Sequence, residues 1–108
     1  MEVRVLRYRT LSGTEPFTDW LGSLDDRSTQ ARLRMRIRRL ESGLFGDIVA
    51  LGGGLFELRE HTGGGVRIYF GRHGQTVVIL LCGGIKRSQA ADIGRARKYL
   101  VDWKSRRT

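Results

Sequence analysis

Arg59, Arg67 and Tyr69 are the residues of this chain best suited to act on a charged substrate. They lie on two strand-like segments, Leu55 to His61 and Val66 to Arg72, in which apolar residues recur at every second position. Pairing Leu58 with Ile68 and Phe56 with Phe70 gathers four large apolar groups on one face of the hairpin. The same register sets Arg59 opposite Arg67, and Glu57 opposite Tyr69, on the other face. Like charges directly opposite one another cost up to ~1 kcal/mol, so this pairing implies an anion bound between them. His61 continues the parity of Arg59, and Lys86 and Arg87 follow the next strand. Three cations with a phenol and an imidazole suit a phosphodiester. Arg59, Arg67 and Lys86 would hold the phosphate and its developing charge, while Tyr69 and His61 move protons. The alternative reading makes Tyr69 an ordinary strand aromatic and His61 a hairpin surface residue. Arg67, mid-strand among apolar neighbours, favours the functional reading. No paired carboxylates or histidine cluster point to a metal, and no cofactor is expected. Cleavage would then use the RNA 2′-hydroxyl as nucleophile.

The elements that must position these residues follow from the rest of the pattern. Val3 and Val5 alternate with Glu2 and Arg4 as a short strand. Thr14 is placed to cap a helix with Glu15 and Pro16 in its first turn, and Phe17, Trp20, Leu21 and Leu24 form its buried stripe. A second helix spans about Ser28 to Glu41, with Leu33, Ile37 and Leu40 on its apolar face; together the two predict a helical hairpin. Three antiparallel strands follow in meander order, Leu55 to His61, Val66 to Arg72 and Thr76 to Cys82. Their turns fall at Thr62-Gly63-Gly64-Gly65 and at His73-Gly74. Gly52-Gly53-Gly54 also reads as a turn. Gly83-Gly84 ends the sheet, either as a simple chain reversal or with backbone amides approaching a phosphate. Ser88 caps a last helix that turns Ile93, Ala96, Leu100 and Trp103 inward. The expected fold is α+β in one domain over residues 1–108.

Composition narrows the partners. Twenty Lys+Arg against eleven Asp+Glu give a formal net charge of +9, and only Lys86, Lys98 and Lys104 are lysine. The balance points to an acidic partner: nucleic acid, an anionic membrane or an acidic protein. Arginine's planar fork grips phosphate or carboxylate in two places, which favours phosphate contacts over solubility alone. Between Arg27 and Arg39 stand six arginines and no acid. That face is either a solvated helix surface or one that tracks phosphates, with Arg32, Arg36, Arg39 and the later Arg87 as the candidate RNA-binding residues. The single cysteine, Cys82, excludes an internal disulfide and reads as a small buried hydrophobe. The longest apolar run, Val77 to Cys82, is far shorter than the ~20 residues that span a bilayer. The opening Met1 to Val5 has no signal-peptide character. A cytoplasmic protein is expected.

Several segments in order carry a family resemblance. They are Phe17-Thr18-Asp19-Trp20-Leu21, Gly43-Leu44-Phe45-Gly46-Asp47, Leu55-Phe56-Glu57-Leu58-Arg59, Val66-Arg67-Ile68-Tyr69-Phe70, Leu80-Leu81-Cys82-Gly83-Gly84-Ile85-Lys86 and Gln89-Ala90-Ala91-Asp92-Ile93-Gly94-Arg95-Ala96. Together they resemble the phage-derived, HigB-like addiction module killer toxins of the RelE/ParE superfamily. The resemblance implies a RelE-like fold: an N-terminal strand, a helical hairpin, a three-stranded antiparallel meander and a C-terminal helix. It implies the toxin of a type II toxin–antitoxin system that cleaves mRNA on the ribosome. A ParE-like gyrase inhibitor without chemistry and a non-toxic nucleic-acid-binding module are the alternatives. By position, Arg59 and Arg67 match arginines that face RNA and Lys86 the basic position after the last strand. Tyr69 does not match the C-terminal tyrosine of RelE itself, for which Tyr99 is the nearer candidate. The implied partners are the ribosome, mRNA and a cognate helix-turn-helix antitoxin in a hetero-oligomer.

Overall fold

The computed structural model describes residues 2–61 and 64–107. The chain forms a five-stranded mixed sheet with helices on both faces. In chain order the elements are β1 (Arg4–Arg7), α1 (Pro16–Ser23), α2 (Arg27–Glu41), β2 (Ile48–Gly52), β3 (Leu55–Glu60), β4 (Val66–His73), β5 (Val77–Ile85) and α3 (Gln89–Ser105). A single 3₁₀ turn, Lys86–Ser88, leads into α3. The strands lie in the order β1-β5-β4-β3-β2, antiparallel except for β1, which runs parallel to β5.

The α+β class and the two-helix, meander, helix order are as the sequence predicts. One strand is not. The sequence predicts no strand between the helical hairpin and Leu55 and reads Gly52-Gly53-Gly54 as a turn, yet Ile48 to Gly52 pairs with β3, so the meander has four strands. Gly53 and Gly54 join the two at φ of 65° and 82°, values a two-residue hairpin turn demands and glycine supplies without strain. Edge placement explains the weak signal, since β2 is only half-buried and does not alternate cleanly.

The expected Leu58–Ile68 register is the one observed, with Arg59 opposite Arg67. An irregularity falls instead between β4 and β5, where Tyr69 pairs with Cys82 and Phe70 with Leu80, leaving Leu81 as the extra residue. Consequently Leu81 and Cys82 both join the cluster beneath α3. The β4–β5 turn occupies Gly74 to Thr76 rather than His73-Gly74. The predicted 62–65 turn lies partly outside the described residues.

α1 and α2 cover one face. Phe17, Leu21, Leu33 and Leu40 are buried there against Leu58, Ile68, Phe70 and Leu80. Glu15 rather than Thr14 stands at the α1 cap; its carboxylate accepts from the Thr18 hydroxyl at 2.8 Å. The Asp26 side chain caps α2 by accepting from the Ser28 amide. Gln30 then donates to the carbonyls of Leu21 and Leu24, tying the helical hairpin together.

α3 covers the other face through Ala96 and Leu100 against Leu55, Tyr69, Ile79 and Leu81. Gly83 and Gly84 lie inside β5 rather than ending the sheet. A Cβ at Gly83 would collide with the Trp20 ring, and one at Gly84 with the Asp92 carboxylate. These glycines let a helix approach each face closely. Ser88 does not cap α3 through its side chain; its hydroxyl donates to Asp92 at 2.5 Å.

Candidate active site

Arg59 and Arg67 project on the α3 side of the sheet, beyond the start of that helix. The anion that their pairing requires comes from within. Glu57, two residues before Arg59 on the same face, is fully buried. Its Oε1 accepts from Arg59 Nε at 2.7 Å, and its Oε2 accepts from Gln89 Nε2 at 2.8 Å. Arg67 Nε stands 3.5 Å from the same Oε2, an ion pair beyond hydrogen-bond reach. Sequence pairing therefore identifies the charge problem, and within the chain a buried glutamate answers part of it.

Burial by itself would raise the Glu57 carboxyl pKa. Hydrogen bonds from Arg59 and Gln89, with the Arg59 charge, outweigh it and hold the group below the usual carboxylate range. The acid is thus a fixed negative charge at neutral pH. It engages both guanidiniums from the Nε side. Among the described residues the Arg59 Nη groups make no bond to protein, and 38% of that side chain is exposed. Arg67 is more enclosed, 12% exposed, and donates from Nη1 to the Gly65 carbonyl at 3.2 Å. Two positive charges around one negative leave a surplus of one, with donors open toward solvent. Lys86 and Arg87, both exposed, extend the positive rim just past the end of β5.

Tyr69 faces the expected side, but α3 covers it completely. Desolvation and the Glu57 charge push its phenol well above the ordinary value. It is a neutral group under the arginine pair and out of reach of a phosphate. His61 is exposed at the end of β3, its Nε2 2.7 Å from Asp47 Oδ2. Asp47 also bears electrostatically on Arg59 and accepts the Arg59 amide through its carbonyl. Tyr99 stacks on Tyr8 at a centroid distance of 4.8 Å, inside the α3 packing.

The α2 arginines divide by environment. Arg36 is 13% exposed and donates from Nη1 to the Arg59 carbonyl at 2.8 Å and to Glu60 at 2.9 Å. It fastens α2 to β3. Arg32 and Arg39 are exposed, but their helix packs on the sheet face opposite Arg59 and Arg67. Sequence reasoning missed Glu57 as the organising charge, and Gln89 and Asp47 with it. A signal was present: an acid on the inward parity of an apolar strand, with arginines at the next position of that parity and across the pair. Among the described residues no group of three or more His, Cys, Asp and Glu could hold a metal ion. None of the described helices is long and apolar enough to cross a membrane.

Residues 19–99, the span from α1 to most of α3, match the model of the family described as phage-derived protein Gp49-like (DUF891). The chain belongs to this Gp49-like family. Both faces of the arginine hairpin and the glycines beneath the helices lie within the match. The Gp49-like family is associated with toxin–antitoxin systems. An uncharacterized protein of Haemophilus influenzae (strain Rd) is 43% identical over 84 residues, covering 78% of this chain and 85% of that relative.

Proposed function

We propose that this Gp49-like protein is the toxin of a type II toxin–antitoxin system and acts as a ribosome-dependent mRNA endonuclease. The observation that carries this reading is the Arg59–Glu57–Arg67 arrangement, a partly open pair of guanidiniums held side by side by a buried carboxylate. In the proposed reaction an RNA phosphate lies against the Arg59 Nη groups and Arg67, with Lys86 at its rim. The 2′-hydroxyl attacks the adjacent phosphorus, the P–O5′ bond breaks, and a 2′,3′-cyclic phosphate and a 5′-hydroxyl form. The arginines stabilise charge as it accumulates on the non-bridging oxygens. His61, oriented by Asp47, exchanges the proton. Glu57 and Tyr69 act as positioning residues beneath the clamp. Arg32, Arg39 and Arg87 supply salt-dependent affinity for ribosomal RNA, whereas Arg36 supports the fold. An antitoxin with a helix-turn-helix domain is the proposed partner.

The test is primer extension on a reporter mRNA in a reconstituted translation system, with wild type and Arg67→Ala compared. New 5′ ends that require ribosomes and disappear in the variant are expected. Intact mRNA from folded wild-type protein overturns the reading, and inhibition of DNA supercoiling by that sample would replace it with gyrase poisoning.

A further inference from the structure

The two edges of the sheet are finished differently. At the β2 edge, Arg97 from α3 donates to the carbonyls of Leu51 and Gly52 at 2.7 and 3.2 Å, and Lys104 reaches the Gly53 carbonyl. Side chains close that end, as natural sheets commonly close exposed edges. The β1 edge is open. In its parallel ladder Arg4 N donates to Thr76 O and Tyr8 N to Leu80 O, so alternate residues face β5 and the main chains of Val3, Val5, Arg7 and Arg9 face away. Val3 N is taken by the Glu41 carbonyl and Arg9 O by Arg106. Val5 and Arg7 between them have no main-chain partner among the described residues.

Beside this opening lies a cleft of about 350 Å³ lined by Leu6, Arg7, Arg9, Trp103, Arg106 and Arg107. Its floor is apolar and aromatic, with Arg107 stacked over the Trp103 ring at 4.7 Å. Its walls hold four arginines, offset by Glu15 on Arg9 and Asp102 on Arg106. An unsatisfied strand edge next to a positively charged, partly apolar cleft matches one ligand class. We infer that β1 accepts an extended acidic segment of a partner protein, which adds to the sheet through Val5 and Arg7 and sets alternate side chains into the arginine cleft. A second copy of this chain fits poorly, because its own β1 would bring Arg4, Arg7 and Arg9 against the same charges. This inference rests on the sheet edge and not on the nuclease reading.

The probe is an octapeptide of alternating glutamate and valine, added to the full chain and followed by NMR amide exchange and by anisotropy of the labelled peptide. Slower exchange at both Val5 and Arg7 is expected on binding. N-methylation of alternate peptide amides, which leaves charge unchanged, should weaken binding by roughly tenfold or more because the ladder donors are lost. Arg107→Glu, at an exposed residue whose only ring contact is with Trp103 among the described residues, should weaken it by a similar order through charge reversal. Absence of binding, equal affinity for the methylated peptide, or unprotected Val5 and Arg7 amides each overturn the proposal. So does a uridine octanucleotide that protects the same amides, or a free protein already dimeric and protected there.

Discussion

The arginines of α2 and those of the β3–β4 hairpin are alike in type and opposite in organisation. Along α2 the guanidiniums stand in succession with no acid until Glu41, and Arg32 and Arg39 reach into solvent. Such a face offers affinity to any polyanion and geometry to none. Of the three arginines on the hairpin, Arg59 and Arg67 flank a buried carboxylate that meets both from the Nε side. What separates the two regions is not the number of cations but the buried acid beside Arg59 and Arg67, which α2 lacks.

The largest effect should come from the hairpin's functional half. Arg67→Ala is expected to lower the single-turnover rate of mRNA cleavage by ~10²–10³, the usual loss for one preorganised charge-stabilising donor. Arg32→Ala should reduce the rate only through binding, with the slope of log affinity against log salt shallower by about one. Equal losses from the two variants would erase the distinction between the regions.

Next is the acid itself. Glu57→Gln removes the buried charge between the enclosed Arg67 and the partly exposed Arg59 and should cost about 2 kcal/mol of stability, less than a fully buried pair, measured by urea or thermal unfolding. The pH dependence has a definite sign. Because the folded-state pKa lies below the ordinary value of 4.5, the ionised Glu57 stabilises the protein above that pH. This contribution is lost as pH falls through the folded value. The wild type should therefore lose stability in acid more steeply than Glu57→Gln. Parallel acid profiles would show that some other carboxylate carries the transition.

The smallest effects divide α2 within itself. Arg36→Ala breaks hydrogen bonds to the Arg59 carbonyl and Glu60 and should cost about 1–2 kcal/mol. Arg39→Ala, on the exposed side, should change stability by less than ~0.5 kcal/mol. Similar melting curves for both would place Arg36 with the solvated arginines after all.

Much of this arrangement was legible in the chain. Alternation in Val66 to Phe70, matched by Phe56 and Leu58 across the pair, set the register, because a one-residue slip would turn Leu58, Ile68 and Phe70 away from the core. Helical spacing likewise predicted which residues of α1, α2 and α3 turn inward. Periodicity reports which face a residue occupies and not what covers that face. Thus Arg59, Arg67 and Tyr69 were assigned to one side correctly, but α3 folding over Tyr69 and Gln89 arriving from 32 positions away were beyond any local pattern. The same limit explains Gly83 and Gly84, which a linear reading takes as a chain break. Only the approach of Trp20 and Asp92 from opposite faces gives their lack of a side chain a purpose.

The sequence by itself determined the strand and helix periods, the Arg59–Arg67 confrontation and the large positive charge, since each depends on near neighbours and composition. The tertiary structure decided which charge answers that confrontation, which arginines become structural, and that β1 lies at an open edge parallel to β5. Those outcomes depend on contacts between residues distant in the chain, where burial and the geometry of a few donors settle what a charge can do.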